Sequence, residues 1–201
     1  MAAGTFVTVL LAGGEGRRMG GAKPLRLLDG RPLLDHGLRI ARAQGPGPLA
    51  VAVRTPGQVG GRSDVPLLLD PIDCVGPLAG LASALAFAEA CGAGQVLTLP
   101  CDAPRLPLDL GARLAGALAP GDQVAMAFSR GRLHPTCALW RVSTRAALDA
   151  YRASGGRSLK GLAQSAGVSV VDWGDPDPDP FVNLNTPEDL AAAAGMETAL
   201  D

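Results

Sequence analysis

The chain lacks the cysteine and histidine patterns of several large classes of protein. Only four of its 201 residues are cysteines and only two are histidines. No two cysteines have the C-x₂₋₄-C spacing of a zinc site, and an apolar content of 47% makes a disulfide framework unnecessary for a core. We therefore expect small, buried or half-buried thiols at Cys74, Cys91, Cys101 and Cys137.

Long runs of charge or of apolar residues are also missing. The net charge is −1 without a charged tract, which argues against nucleic-acid contacts and against a membrane-surface helix. No apolar run reaches transmembrane length, and the N-terminus leads directly into an apolar segment rather than a signal peptide. These absences predict a cytoplasmic protein without nucleic-acid or membrane partners.

A glycine-rich basic stretch follows the first apolar run, Phe6–Ala12. Five glycines fall within the nine residues from 13 to 21, close to Arg17, Arg18 and Lys23. Glycines let backbone amides approach a ligand, and arginine and lysine supply charge for phosphate. Lysine is scarce, with two lysines against sixteen arginines, which draws attention to Lys23. A strand that ends in such a loop predicts nucleotide binding.

The loop fits neither of the two commonest phosphate-binding motifs. Gly14 and Gly16 begin a dinucleotide fingerprint, but Met19 takes the place of its third glycine. Gly16 and Gly21 have the spacing of a P-loop, but Ala22 stands before the lysine. The alternative is a glycine-rich turn with solvated arginines. Phosphate binding is favoured, because glycines, cations and a preceding strand coincide.

Predicted strands and helices alternate without a linker or an internal repeat. The predicted strands are Thr5–Ala12, Leu49–Val53, Val65–Leu69, Gln95–Leu99, Gln123–Phe128, Leu133–Val142 and Val168–Trp173. The predicted helices are 32–44, 77–91, 108–118, 144–153, a short one after Ser158, and a last one capped by Thr186. This order predicts a single α/β domain over residues 1–201 with a mostly parallel sheet. A hairpin at Ser129–Arg132 makes the sheet mixed, and Pro135 indicates an edge strand or a bulge.

Two aspartates follow predicted strands, where doubly wound folds bind ligands. Asp102 suits Mg²⁺, which uses one or two carboxylates together with phosphate oxygens. The alternative role, capping the next helix, is disfavoured because Pro104 and Pro107 interrupt that geometry. For Asp70, a turn before Pro71 is nearly as good an interpretation as a ligand role.

These parts suit nucleotidyl transfer, in which a phosphate attacks the α-phosphorus of a nucleoside triphosphate and pyrophosphate leaves. Mg²⁺ on Asp102 is expected to bridge phosphate oxygens, and Arg17, Arg18 and Lys23 to hold the pyrophosphate. A phosphate nucleophile is already ionised near neutral pH, so no nucleophilic side chain is required.

The remaining candidates are two histidines and one small residue. No convincing Ser-His-Asp set is present. His36 falls within a helical pattern and is interpreted as structural. His134 precedes Pro135 at a strand start, and it is equally compatible with a structural role and with facing a second substrate. Gly80, in an alanine- and leucine-rich helix, suits close packing against the sheet or a ligand.

Five motifs together resemble the MobA family of molybdenum cofactor guanylyltransferases, within the nucleotidyltransferase superfamily. They span nearly the whole chain: Leu11-Ala12-Gly13-Gly14 with Arg17-Arg18-Met19-Gly20 and Lys23, then Gly76-Pro77-Leu78-Ala79-Gly80, Pro100-Cys101-Asp102-Ala103-Pro104, His134-Pro135-Thr136 and Asn183-Leu184-Asn185-Thr186-Pro187-Glu188-Asp189.

The resemblance implies a fold, a reaction and partners. The fold is a three-layer, Rossmann-like nucleotidyltransferase fold with a mixed, mostly parallel sheet. The reaction transfers GMP from GTP to the terminal phosphate of Mo-molybdopterin, with Mg²⁺ as cofactor. It also implies transient contacts with other proteins of molybdenum cofactor biosynthesis.

The resemblance also assigns site residues. Catalytic roles fall on Arg17, Lys23 and Asp102, and Asp102 is the metal ligand. The nucleotide-binding positions are Leu11, Ala12, Gly13, Gly14, Lys23, Arg54, Asp70 and Asp102. Arg54 stands where the family commonly has Asn, so its contact with the base is open. The second-substrate side is expected to include Gly80, His134, Arg157, Asn183 and Asn185.

Three other functions compete with this interpretation. A cytidylyltransferase acting on the same cofactor is the nearest, and Gly14 and the Gly76–Gly80 motif favour the guanine enzyme over it. A sugar-1-phosphate nucleotidyltransferase shares the opening loop. A non-catalytic nucleotide-binding protein predicts GTP binding without release of pyrophosphate.

Overall fold

The computed structural model describes residues 6–14, 16–61, 64–72, 74 and 76–195. The strands within them are β1 (Val7–Leu11), β2 (Leu27–Leu28), β3 (Arg31–Pro32), β4 (Leu49–Val53), β5 (Leu67–Leu69), β6 (Gln95–Pro100), β7 (Val124–Ser129), β8 (Arg132–Arg141) and β9 (Val168–Asp172). The α-helices are α1 (Leu33–Ala43), α2 (Pro77–Ala90), α3 (Leu110–Ala117), α4 (Thr144–Ala153), α5 (Leu159–Ala166) and α6 (Pro187–Ala193). None of these helices is both long enough and apolar enough to cross a membrane.

Seven strands form one mixed sheet in the order β5-β4-β1-β6-β8-β7-β9. The neighbouring pairs are parallel except for the two that involve β8, which runs antiparallel to β6 and β7. The central strands are almost wholly buried, which fits their continuous apolar sequences. The predicted α/β fold with a mixed, mostly parallel sheet is confirmed.

Helices cover both faces of the sheet and give three layers. Alternate side chains of β1 enter different cores: Leu10 packs with α1 and α3, whereas Val7 and Val9 pack with α2 and, further along the sheet, α4 and α5. This alternation follows from the period of two in a β-strand. Because β1 is parallel to its neighbours β4 and β6, the carboxyl ends of these three strands lie side by side. Ligands bind at this edge of the sheet in this class of fold.

The described strand ends differ slightly from the predicted ones. The first strand begins at Val7; Thr5, its predicted start, lies outside the described residues. The strand predicted from Val65 begins at Leu67, because Pro66 meets β4 only through its carbonyl oxygen, which accepts the amide of Val51 at 2.9 Å. A proline has no amide hydrogen to extend the ladder.

A bulge around Pro135 opens the sheet between β6 and β8. The pairing of β8 with β6 extends only from Arg141 to Ala138, and the β7 register jumps from Met126↔Ala138 to Ala127↔His134. Because β8 lies inside the sheet, the bulge is the correct alternative and the edge strand is not. The two strands separate beyond Thr98, and this separation makes room for a cleft.

Short local structures were not predicted. The strands β2 and β3 form a hairpin across Asp29-Gly30, where positive φ angles of 50° and 75° suit a tight two-residue turn. Only the turn was expected from the sequence. Three 3₁₀ helices, Arg17–Met19, Lys23–Leu25 and Pro56–Val59, were also not predicted.

Candidate active site

A cleft with two adjoining lobes lies at the carboxyl ends of β1, β4 and β6. The first lobe, about 290 Å³, is lined by Leu11, Gly13, Gly14, Ala52, Arg54, Asp70, Gly76, Pro77, Gly80, Pro100, Asp102, Thr136 and Asn183. The second lobe, about 310 Å³, is lined by Leu11, Ala12, Gly14, Gly16, Arg18, Lys23, Pro24, Cys101, Asp102 and Asn185. Leu11, Gly14 and Asp102 belong to both lobes, so the glycine-loop and strand-end predictions meet in one place.

Lys23, Asp102 and Asn185 form the polar centre of the cleft. The Nζ atom of Lys23 donates to the carboxylate of Asp102 and, at 2.8 Å, to Oδ1 of Asn185. The Lys23 and Asp102 side chains are only 11% and 15% exposed, so little water screens this ion pair. Three residues that are far apart in the sequence thus bring a cation, an anion and an amide together.

The glycine loop, residues 11–25, owes its path to a close contact at Gly16. This residue has φ +60°, and a Cβ atom there would lie 2.7 Å from Cβ of Lys23. Its carbonyl oxygen accepts the amides of Met19 and Gly21, at 2.8 and 3.0 Å. A glycine is therefore needed for the loop to fold back and place Lys23 beside it.

Asp70 lines the first lobe and has one carboxylate oxygen without a hydrogen-bond partner. Its Oδ1 atom is buried and has no hydrogen-bond partner, and its Oδ2 atom lies 3.4 Å from the position that a Cβ of Gly13 would take. Burial raises the pKa of the Asp70 carboxyl, and the guanidinium of Arg54 partly offsets this effect. A buried acceptor without a partner is costly, so Asp70 is suited to receive donors from a ligand.

Gln58 joins the two strand-end loops beside the first lobe. Its Oε1 atom accepts the backbone amide of Arg54 at 2.7 Å, and its Nε2 atom donates to the carbonyl of Gly14 at 3.4 Å. Sequence reasoning missed Gln58. The capping box that it forms with Thr55 was the available signal, because it predicts an ordered turn after β4.

The C-terminal strap, residues 173–186, runs beside Asp102 and contributes Asn183 and Asn185 to the walls of the cleft. The amide of Leu184 donates to the carbonyl of Asp102 at 2.8 Å. This contact places Asn183 in the first lobe and Asn185 in the second. The two asparagines, predicted together on the second-substrate side, therefore serve different lobes, and Asn185 contacts Lys23 directly.

His134 lies behind the cleft and supports the strap. Its ring stacks on Phe181 with a centroid distance of 4.6 Å, and its Nε2 lies 2.8 Å from the hydroxyl of Ser129. Because that hydroxyl donates to Asp179 at 3.1 Å, Nε2 of His134 must be the donor to it. Burial lowers the pKa of His134. Among the described residues of this motif, Thr136 lines the first lobe and His134 does not.

The other predicted site residues are divided between the cleft and its surroundings. Gly80 lines the first lobe, where a Cβ atom would lie 3.1 Å from Leu11, and Arg18 lines the second. Arg157 lines a separate cavity beside α4 and bonds the carbonyl of Gly156 at 2.9 Å. The side chain of Arg17 lies outside the described residues. The structure thus does not bring Arg157 into either lobe.

The surroundings of Cys101 and His36 exclude these two residues as the catalytic nucleophile or base. Burial, with a smaller effect of Asp102, raises the pKa of Cys101 to about 12, so its thiol stays protonated at neutral pH. His36 is buried in α1, and its Nε2 atom donates to the carbonyl of Leu28 at 3.0 Å. Its predicted structural role is confirmed. Of the four thiols, Cys74, Cys101 and Cys137 are buried, but Cys91 is exposed.

Comparison with known proteins agrees with this geometry. Residues 8–168 match the family of MobA-like NTP transferase domains. The chain belongs to that family. It is also 44% identical to a molybdenum cofactor guanylyltransferase from Rhodobacter capsulatus, over 92% of this chain and 93% of the relative. A molybdenum cofactor guanylyltransferase from Sinorhizobium fredii is 39% identical over 94% of this chain and 91% of the relative. This MobA-like protein is therefore a nucleotidyltransferase.

Solved structures support the fold. Molybdopterin-guanine dinucleotide biosynthesis protein A from Archaeoglobus fulgidus matches with a TM-score of 0.75 at 24% identity, over 94% of this chain and 96% of that chain. A 4-diphosphocytidyl-2C-methyl-D-erythritol synthase from Anaerococcus prevotii matches with a TM-score of 0.72 at 14% identity, over 95% and 97%. Both likenesses place this MobA-like chain in the nucleotidyltransferase fold.

A divalent metal, generally used by nucleotidyltransferases, fits the residues of the cleft. Among the residues that the structure describes, no three His, Cys, Asp or Glu side chains cluster as a metal cage. Asp102 nevertheless supplies a carboxylate at the junction of the two lobes, and Lys23 contacts only its Oδ2 atom. One carboxylate with substrate phosphates is the donor set by which Mg²⁺ is commonly held.

Proposed function

We propose that this MobA-like nucleotidyltransferase transfers GMP from GTP to the terminal phosphate of Mo-molybdopterin, releasing pyrophosphate. The observation that carries the proposal is the ion pair between Lys23 of the glycine loop and Asp102, at the junction of the two lobes. The names of the relatives from Rhodobacter capsulatus and Sinorhizobium fredii support the choice of substrates.

The second lobe is the site proposed for the triphosphate. Lys23 and Arg18 line it and supply positive charge, and the glycine loop offers backbone amides at close range. An oxygen of the terminal phosphate of Mo-molybdopterin attacks the α-phosphorus of GTP. The bond from that phosphorus to the bridging oxygen breaks, and the electron pair leaves with pyrophosphate. Lys23 neutralises the charge that develops on this leaving group.

Asp102 is the residue proposed to hold Mg²⁺. The ion neutralises phosphate charge when it is bound. Lys23 keeps the carboxylate of Asp102 oriented toward the junction of the lobes, and the Leu184 amide holds the Asp102 backbone from the strap side. Both contacts limit the movement of Asp102, which is what positioning of phosphates requires.

Asp70 is proposed to select guanine in the first lobe. The Watson–Crick edge of guanine presents the N1–H and the exocyclic amine as neighbouring donors, and a carboxylate can accept both. Cytosine offers only its amine as a donor on that edge, so a buried oxygen of Asp70 would remain unpaired. Leu11, Ala52 and Pro77 provide apolar walls for a flat base.

The second substrate is proposed to enter the first lobe from the strap side. Thr136, Asn183 and Gly80 line this part, and the missing side chain of Gly80 keeps space open beside Leu11. Asn183 and Thr136 offer hydrogen-bonding groups for a pterin or its phosphate. The predicted role of Arg157 is left out of the proposal, because Arg157 lines another cavity.

An acceptor experiment tests the proposal against its competitors. The protein is incubated with GTP and Mg²⁺ in the presence of Mo-molybdopterin, of hexose 1-phosphate, or of neither, and pyrophosphate is measured. We expect release only with Mo-molybdopterin, together with a guanine dinucleotide product. Release with the sugar phosphate would establish the sugar nucleotidyltransferase instead. GTP binding without any release would establish the non-catalytic alternative.

A further inference from the structure

The start of α6 contains a reciprocal capping box whose acidic residue reaches beyond the helix. The hydroxyl of Thr186 accepts the amide of Asp189 at 3.1 Å, and Oδ2 of Asp189 accepts the amide of Thr186 at 2.9 Å. The same Oδ2 atom also accepts the amide of Asn185 at 2.6 Å. A helix cap requires only the first two bonds, so the third is an additional tie to the strap.

Asn185 connects this tie to the centre of the cleft. Its side-chain Oδ1 atom accepts Nζ of Lys23 at 2.8 Å, and its Nδ2 atom donates to the carbonyl of Asn183 at 3.1 Å. The carboxylate of Asp189 holds the backbone of Asn185, and this fixes the position from which the side chain of Asn185 extends toward Lys23. Hydrogen bonds therefore link Asp189 to the backbone of Asn185, the side chain of Asn185 to Lys23, and Lys23 to Asp102.

The helix that carries Asp189 is itself fixed to the glycine loop. Met19 of that loop is buried in a small core with Leu184 and Ala193. Nη2 of Arg105 donates to the carbonyl of Ala193 at 2.9 Å, which secures the other end of α6. The helix α6 lies after residue 168, so the segment that matches the MobA-like domain does not include Asp189.

We propose that Asp189 is a positioning residue of the active site, holding Asn185 so that Asn185 keeps Lys23 against Asp102. The inference rests on the proposed function of that lysine. The hydrogen bonds from the amides of Asn185 and Thr186 lower the pKa of Asp189, with a smaller contribution from the charge of Lys23. The carboxylate that makes the tie is thus ionised at every pH at which the enzyme is expected to work.

A double-mutant cycle separates positioning from simple helix capping. We expect Asp189→Ala and Asn185→Ala each to lower kcat/KM for GTP about 30-fold, since a misplacement of about 1 Å can cost about 100-fold. Because Asp189 acts through Asn185, the double variant should be no worse than Asn185→Ala to within about twofold. Losses that multiply in the double variant would overturn the proposal.

Thr186→Ala is the matched control, because it removes a capping bond and leaves the bond from the Asn185 amide to Asp189. We expect it to lower the melting temperature about as much as Asp189→Ala, with kcat/KM within about threefold of the native value. Equal losses of kcat/KM in both variants would reduce Asp189 to a helix cap and overturn the proposal. Should Asp189→Ala fail to fold, Asp189→Leu, which also lacks an acceptor oxygen and suits a helix, takes its place with the same expected loss. Asp189→Asn keeps an acceptor oxygen and should stay within about fivefold of the native protein.

A crystal structure of Asp189→Ala gives a readout that does not depend on the reaction. We expect the contact between Nζ of Lys23 and Oδ1 of Asn185, 2.8 Å in the native chain, to be broken. An unchanged contact would overturn the positioning role even if GMP transfer is established. A broken contact in a protein that transfers no GMP would support the positioning role while the proposed function fails.

Discussion

The glycine loop and the C-terminal strap meet at the cleft and hold the same lysine by different physical means. The path of the loop is set by local contacts, because the carbonyl of Gly16 accepts the amides of Met19 and Gly21 a few residues away. The strap is held by distant ones, namely the Phe181 stack on His134 and the Leu184 amide on Asp102. Their meeting point is the bond between Lys23 and Asn185.

This difference explains what each segment shows in its sequence. A loop that depends on its own glycines carries its geometry in adjacent residues. A strap that depends on partners elsewhere in the chain looks like an extended surface segment, with alternating aspartates and prolines from 175 to 180. The comparison predicts that loop substitutions alter the nucleotide site directly, whereas strap substitutions affect the nucleotide site through stability and through Asn185.

The strongest way to break the comparison is to remove the side chain of Asp102, which Lys23 of the loop contacts at its carboxylate and Leu184 of the strap contacts only at its backbone carbonyl. We expect Asp102→Ala to lower the rate of pyrophosphate release at least about 10³-fold, because no carboxylate would remain to hold the metal ion that neutralises the phosphate charge. Asp102→Asn, similar in shape but uncharged, should be nearly as inactive, as measured by single-turnover kinetics. Near-native turnover of a folded Asp102→Ala would remove Asp102 from the proposed metal role.

Base selection gives the next largest effect and concerns Asp70, which follows β5 and lies beside Gly13 of the glycine loop. Asp70→Asn should reduce the preference for GTP over CTP about 10- to 100-fold, the value of a hydrogen bond to a charged group. The ratio of kcat/KM for the two nucleotides measures this. A preference that is unchanged by the substitution would show that another residue reads the base.

The same variant also has a stability signature. Burial raises the pKa of Asp70 above its ordinary value of 3.8, so stability is lost as the pH rises from that value through the native pKa, and this loss is absent where the carboxyl is protonated in both states. We expect thermal melts to show Asp70→Asn to be more stable than the native protein at pH 7, with the gain shrinking as the pH falls toward 3.8. A gain that does not change with pH would contradict this assignment.

Gly16→Ala tests whether the loop is encoded locally. The added Cβ would meet Cβ of Lys23 at 2.7 Å at a positive φ, so we expect a loss of about 1–3 kcal/mol in stability and about tenfold weaker GTP binding. Gly14→Ala is the stability control, because a Cβ there meets nothing within 4 Å. Thermal melts and nucleotide titrations measure both effects; equal melting temperatures for the two variants would contradict the account.

The smallest expected effect is a pH dependence on the strap side. Burial lowers the pKa of His134, so between that pKa and about 6.5 the unfolded chain binds more protons than the native one. The native protein should therefore lose stability as the pH falls through this window, and the stability advantage of the native protein over His134→Gln should shrink. Melts from pH 7.5 to 5 measure the difference; a constant gap would contradict the assignment.

Sequence reasoning found those parts of the fold and site that local signals encode. The alternation of elements, the mixed sheet and the Thr186 cap were predicted from periodicity and capping residues, and the structure confirms them. The position of β8 inside the sheet was not predicted, because strand neighbours are set by long-range pairing. The β2–β3 hairpin was not predicted because its two-residue strands are too short to show an alternating pattern. The organisation of residues 1–201 as a single domain stays a prediction.

The site residues that were predicted are likewise those with a local sequence signal. Lys23, Asp70 and Asp102 were predicted because each follows a strand or glycine loop, and the cleft brings all three together. Gln58 was missed, and the contact between Lys23 and Asn185 has no signal in the neighbouring residues of either. The placement of His134 behind the strap depends on its stack with Phe181, which no spacing rule reveals.

The most direct test of guanylyl transfer is a competition between nucleotides. The native protein is given Mo-molybdopterin, Mg²⁺ and equal concentrations of GTP and CTP, and the dinucleotide products are separated and quantified. We predict a guanine dinucleotide in at least about 100-fold excess, since Asp70 pairs with the donors of guanine and leaves cytosine unmatched. A cytosine dinucleotide as the main product would contradict the account.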